Sequence, residues 1–179
     1  MEPFDSFLIW ITDFLGDHLY EGIFLAALLE TVVPPIPTLA IFPTAGFLAS
    51  QQGITILGII PMIILGGAGA TLGTSIIYII ALKLGRIVLL RYLKYVKVSE
   101  KKLKRVEKWF EKYGDKAVLV GRMIPVMREM ISVPAGLLKM KLLKFVLYTF
   151  TGSIIWSTIT ILSGYYFGEV IGLSNIFSS

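Results

Sequence analysis

Apolar positions along this chain fall into stretches of different length and period, and the polar positions between them set the element boundaries. From Pro3 to Leu15, Phe4, Phe7, Leu8, Ile11, Phe14 and Leu15 recur at helical spacing, with Asp5, Thr12 and Asp13 off the stripe. A dozen residues of helix rise ~18 Å, too little for ~30 Å of hydrocarbon, so 1–21 is predicted to form an interfacial helix. Residues 22–50 run apolar but are interrupted at 34–37, which leaves two arms each too short to cross alone. An unbroken apolar run follows over 54–84, with the small residues Gly66, Gly67, Ala68, Gly69, Ala70 and Gly73 suited to close helix contact. The segment 86–113 is basic and amphipathic: Ser99 can cap a helix whose Leu103, Val106, Phe110 and Tyr113 share a face, with Gly114 as its stop. A second interrupted stretch covers 117–140, and 143–171 is a final uninterrupted span.

The pattern is one unit written twice, an interrupted stretch followed by an uninterrupted helix, at 22–84 and at 117–171. If each interrupted stretch turns back and each following helix crosses once, the second unit starts on the opposite face and the repeat is inverted. The expected fold class is therefore all-α integral membrane. Two re-entrant helical hairpins face each other, each followed by a transmembrane helix, with N-terminal interfacial and central amphipathic helices added. The whole chain, 1–179, reads as a single membrane domain.

Composition agrees, since 55% of the residues are hydrophobic. The first 21 residues carry Glu2, Asp5, Asp13, Asp17 and Glu21 and no Lys or Arg, the reverse of a signal peptide's basic start, so targeting is expected to rest on the spans. Charge adds orientation. Residues 1–82 hold no Lys or Arg, whereas twelve of the seventeen lie between Lys83 and Lys116, so 86–116 is expected on the cytoplasmic side of a plasma (inner) membrane.

The two interruptions differ from defects because each carries charge. Pro34, Pro35 and Pro37 end a helix near Val33, and Pro125 and Pro134 bracket Arg128, Glu129 and Ser132. Irregular backbone at membrane depth must be buried in protein or line a wet cavity. Glu30, Arg122, Arg128 and Glu129 lie in such stretches, where each central charge costs ~2.5–3.5 kcal/mol unless it is compensated. The least costly arrangement sets Glu30 on one hairpin against Arg122 or Arg128 on the other. An acid and two guanidinium groups beside frayed helix ends offer what a phosphate-bearing headgroup needs. Internal salt bridges that merely fix the hairpins together are the alternative.

The strings ETVVPPIPTLAIFPTAGFLAS and GRMIPVMREMISVPAGLLKM, with ATLGTSIIYIIALKLGR between them and GYYFG after, resemble the DedA family, also called SNARE-associated or VTT-domain proteins. The resemblance runs from about Glu21 to Gly168. It implies a bacterial or archaeal inner-membrane protein with facing re-entrant hairpins that moves lipids between leaflets, often in dependence on proton motive force. By the same resemblance Glu30 matches the first acid, Pro35 and Pro37 the first turn, Arg122 and Arg128 the two arginines, and Pro134, Ala135 and Gly136 the second turn. This chain departs at two positions: many members carry a second acid after the Pro-x-Pro, where Leu39 stands, and an Asp where Thr74 stands. Glu129 is the acid available as a replacement, or as a counter-charge for Arg128.

The expected function is a flippase-like lipid transporter for undecaprenyl or polyprenyl phosphate or a phospholipid, with Glu30, Arg122, Arg128, Glu129 and Ser132 as headgroup residues. Protons are an additional partner and a homo-oligomer is compatible; nucleic acid and cofactors are not expected. A proton- or cation-coupled exporter of small solutes and a non-transport assembly protein are the alternatives. Enzyme chemistry finds little support: there is no cysteine, His18 is the single histidine, and no metal constellation or nucleotide loop exists.

Overall fold

Among the residues that the computed structural model describes (Gly16, 18–32, 38–95 and 100–177), every regular element is a helix and no strand occurs. In chain order these are α1 (Leu19–Val32), α2 (Thr38–Gln51), α3 (Ile56–Tyr95), α4 (Glu100–Tyr113), α5 (Lys116–Arg122), α6 (Pro125–Met130), α7 (Ser132–Leu137) and α8 (Leu142–Phe177). The expected interfacial helix before Gly16, and Pro34, Pro35, Pro37 and Ser99, lie outside the described residues.

Two helical stretches, Ile56–Lys83 and Leu142–Gly168, are long and apolar enough to cross a membrane. At 28 and 27 residues they rise ~40 Å, more than ~30 Å of hydrocarbon requires, which leaves room for tilt. The first helix does not stop at 84 as its composition predicts: Arg86 to Tyr95 contain no proline or glycine and include the helix formers Arg86, Leu89, Leu90, Arg91, Leu93 and Lys94, so α3 continues through them. The basic segment 86–113 is thereby divided between the end of α3 and α4. Gly114 takes φ 57° and ends α4 where the sequence predicts, its N–H donating to the Phe110 carbonyl at 2.8 Å. Val106 and Phe110 are buried, but Tyr113 is 43% exposed and rests on the Trp109 ring with centroids 4.4 Å apart.

Two tyrosines fix the direction of the long helices. Tyr165 on α8 donates to the carbonyl of Ile54 at 2.9 Å, two residues ahead of the start of α3. Tyr78 on α3 donates to the carbonyl of Met140, two residues ahead of the start of α8. Each long helix thus holds the start of the other near the far end of its own membrane-length stretch, Ile56–Lys83 or Leu142–Gly168, which makes α3 and α8 antiparallel.

The shorter helices follow the same exchange. Helix α1 packs on α3 and α2 on α8; α5 packs on α8 and α7 on α3. In each half the first arm lies on its own long helix and the second arm on that of the other half. The arms of the first half return to one end of the molecule, where Gln52 Nε2 donates to the Gly16 carbonyl at 2.9 Å. The second half opens at the opposite end, where Asp115 and Lys144 pair at 2.8 Å.

Without the water-driven hydrophobic effect, contact between such helices depends on close backbone approach. A Cβ on Gly46 would strike the Ile161 carbonyl, one on Gly164 the Pro43 carbonyl, and one on Gly136 would lie 2.5 Å from the Tyr78 carbonyl oxygen. Side chains therefore fill two separate apolar cores. One joins Ile23, Ala27, Phe42, Met62 and Ile161 around the first half; the other joins Tyr78, Phe110, Val118, Ile131 and Phe145 around the second. Large apolar side chains also face outward: Leu57 is 72% and Leu143 71% exposed, a surface suited to lipid tails rather than water.

Gly164→Val should push α2 off α8 and destabilise the protein by ~1–3 kcal/mol. Gly16→Ala, at a glycine with open space around it, should change stability by less than about 0.5 kcal/mol. Thermal unfolding of both variants in one detergent checks this, and equal melting temperatures would contradict the close-packing account.

Candidate functional site

Between the two apolar cores lies a polar layer. The buried polar and charged side chains there include Glu30 and Thr31 from α1, Thr71 and Thr74 from α3, Arg122 from α5, Arg128 from α6, Ser132 from α7, and Ser153 and Ser157 from α8.

The break in the second half begins at Pro125. A residue before proline is driven from the helical to the extended region, and Ile124 takes φ −104° and ψ 119°. This ends α5 at Arg122, and Pro125 then starts α6, where its missing N–H is harmless. Pro134 and Gly136, which the sequence suggests as breakers, stand instead inside α7. A proline is tolerated in the first turn of a helix, and Gly136 serves close contact with α3.

Arg122 is 2% exposed and braces four elements. Its Nη1 donates to the Arg128 carbonyl at 2.9 Å, a last-turn carbonyl of α6 that the short helix leaves for an outside donor. Its Nη2 donates to Ser153 Oγ at 2.8 Å and to Thr74 Oγ1 at 3.3 Å. Thr74 in turn donates its own proton to the Ala70 carbonyl, so a neutral hydroxyl stands where an Asp was expected from the resemblance.

Arg128, 4% exposed, carries the charge contact between the halves. Its Nη2 lies 3.7 Å from Glu30 Oε1, and its guanidinium sits over the Trp156 ring with Cζ 5.0 Å from the centroid. Glu30 belongs to the last turn of α1, where the helix dipole is negative and a carboxylate is disfavoured, so a cation from the other half offsets both charge and dipole.

Of the residues the sequence singles out, Glu30, Arg122 and Arg128 are brought together. Ser132 is fully buried at the start of α7, and its Oγ has no hydrogen-bond partner among the described residues. The Glu129 side chain lies outside the described residues. Sequence reasoning missed Ser153 as an acceptor and Trp156 as a platform. The signal was present, because Thr149, Ser153 and Ser157 recur every four residues along one face of an otherwise apolar span. Among the described residues no group of three or more His, Cys, Asp or Glu could hold a metal ion.

Comparison with known proteins assigns the chain to a family. The VTT domain matches residues 36–166, which takes in α2, α3, the whole second break and most of α8. The chain belongs to the VTT-domain, or DedA, family. It is 33% identical over 167 residues to undecaprenyl phosphate transporter A of Staphylococcus aureus, covering 91% of this chain and 81% of that one. It is 34% identical over 169 residues to an alkaline phosphatase-like protein of Lactococcus lactis subsp. cremoris, covering 89% and 78%. With the protein DedA of Escherichia coli it shares 26% identity over 158 residues, covering 87% and 71%. No solved structure matches. As a VTT-domain protein this is an all-α, multi-pass membrane protein.

Ser153→Ala should leave an Arg122 donor buried without its acceptor and cost ~1–3 kcal/mol. Arg122→Ala, which also frees the Arg128 carbonyl, should cost ~3–5 kcal/mol. Denaturation in detergent compares the two, and an Arg122→Ala variant as stable as the native chain would contradict the bracing role.

Proposed function

We propose that this VTT-domain protein moves a phosphate-bearing lipid, a polyprenyl phosphate or a phospholipid, from one leaflet of the plasma membrane to the other. The observation that carries the reading is the buried Arg128–Glu30 contact in a hydroxyl-rich layer between two apolar cores. Intramembrane charges are costly, and they mark substrate paths more often than they serve packing alone.

The chemistry of the layer favours an anion. Its two buried guanidinium groups supply charged N–H donors of the kind that phosphate accepts from. Arg122 is the positioning residue that holds the α6 backbone, and Arg128 is the residue that receives the headgroup. Glu30 competes with the phosphate for Arg128, so that binding and release become an exchange of partners. Protonation of Glu30 would weaken its side of that exchange, which is how a proton gradient could bias direction. The name of the Staphylococcus aureus relative, an undecaprenyl phosphate transporter, supports the lipid class.

The membrane arrangement belongs to the same proposal. Helices α1 and α2, 14 residues each, rise ~21 Å and are too short to span. We take α1 with α2, and α5 to α7, as re-entrant hairpins that dip from opposite faces and meet at the polar layer. The basic segment 86–116 then lies in the cytoplasm and the open end of the first hairpin outside.

Exchange of labelled polyprenyl phosphate in proteoliposomes tests the function. Arg128→Gln should slow it about tenfold or more, as expected when a charge-assisted contact is lost. A Glu30→Gln, Arg128→Gln pair should regain stability but not transport; full transport by the pair would leave the charges a purely structural role. Topology is tested separately with single cysteines at Glu21, Gln52 and Lys141. Glu21→Cys and Gln52→Cys should react with an impermeant reagent from outside and Lys141→Cys from inside. Opposite accessibility of the first two would overturn the re-entrant arrangement.

A further inference from the structure

The polar layer contains donors that the exchange between Glu30 and phosphate does not use. Trp156 Nε1, Ser157 Oγ and Ser132 Oγ are all buried, and none has a hydrogen-bond partner among the described residues. Native folds seldom leave a buried donor unmade, and where they do a ligand, an ion or a water belongs there.

Trp156 is set apart from the other two by its contact with the cation. The Arg128 guanidinium lies over its ring, 5.0 Å from the centroid, and the indole N–H belongs to the same ring. The N–H groups of a guanidinium lie in its own plane, so stacking on an aromatic face leaves them open to acceptors at the side. The indole N–H likewise lies in the ring plane and can only donate. A tetrahedral oxyanion has several acceptor oxygens and can serve both groups at once, with one oxygen on Arg128 and a second on Nε1.

We infer that Trp156 is a ligand-binding residue: its ring holds the Arg128 guanidinium in place, and its Nε1–H donates to a non-ester oxygen of the phosphate that Arg128 receives. The inference rests on the phosphate reading above and gives that site a specificity element. Phosphate monoesters and diesters both offer two or more non-ester oxygens, so either can bridge the pair. An alcohol or a quaternary amine headgroup offers no such bridge.

Indole N–H resonances of the 15N-labelled full chain in micelles read this directly. The chain has three tryptophans, Trp10, Trp109 and Trp156, each assigned by its own Trp→Phe variant. The probes are inorganic phosphate, a water-soluble isoprenyl monophosphate, a short-chain phosphatidylglycerol, and the isoprenyl alcohol as control. On addition of the isoprenyl monophosphate the Trp156 resonance should move downfield while those of Trp10 and Trp109 stay, and the alcohol should do nothing. By calorimetry Trp156→Phe should weaken binding about tenfold at an unchanged melting temperature. A response to inorganic phosphate as well supports an anion site that needs no lipid; a response to either lipid alone supports one that requires the tail. Binding by the native chain with an unmoved Trp156 resonance would overturn the inference, as would equal affinity in Trp156→Phe, and either result would assign the indole N–H to a bound water. If the native chain binds none of the phosphates, the phosphate reading itself fails and this inference falls with it. The resonance shift is read on the native protein, so the test stands even if Trp156→Phe does not fold.

Discussion

The contact between Glu30 and Arg128 constrains how the two halves of this protein meet. A carboxylate in the last turn of α1 opposes the helix dipole and lies in a layer from which solvent is nearly excluded. As a charged group it needs a cation from elsewhere, and the chain's own first half has no Lys or Arg to offer, because residues 1–82 contain none. The second half must supply it. For Arg128 to arrive there, α5 must stop at Arg122 and the chain must restart at Pro125, and that break in turn exposes a backbone carbonyl which Arg122 satisfies. The ion pair, the proline break and the buried brace are thus consequences of one another.

The same requirement explains why the small residues sit where they do. Short arms can place charged groups at the centre only if they run close beside the long helices, and close passage needs glycine at the crossing points. Gly46 and Gly164 bring α2 onto α8, Gly136 brings α7 onto α3, and Gly152 lets the Arg122 stem, whose Cβ would lie 2.7 Å from an added methyl, pass α8 toward Ser153. The reciprocal tyrosine bonds to Ile54 and Met140 then fix the long helices antiparallel, so that arms leaving opposite ends converge on one layer. Two apolar cores with a polar seam between them follow without any further rule.

Much of this was legible in the sequence because it rests on local signals. The long apolar runs, the amphipathic basic segment, Gly114 and the charges in interrupted stretches all follow from composition and period, and the VTT-domain resemblance agreed with them. What could not be read was anything set by packing. Pro134 looks like a break, yet in a first turn its missing N–H has no cost and α7 absorbs it. The end of α3 at Tyr95 rather than at residue 84 reflects helix propensity carrying past the apolar run. Ser153 and Trp156 act through partners more than 25 residues away, and no local pattern specifies which hydroxyl or ring will meet a given arginine.

Thr74 gives the arrangement its particular character. By the resemblance many family members carry an aspartate at this position, and this chain departs from them. A threonine supplies the hydrogen bond that Arg122 needs while adding no charge, and passes its own proton to the Ala70 carbonyl. Arg122 is thus held without a charged partner from α3. A neutral acceptor at position 74 therefore leaves Arg122 held by hydroxyls and a backbone carbonyl, whereas Arg128 meets the carboxylate of Glu30.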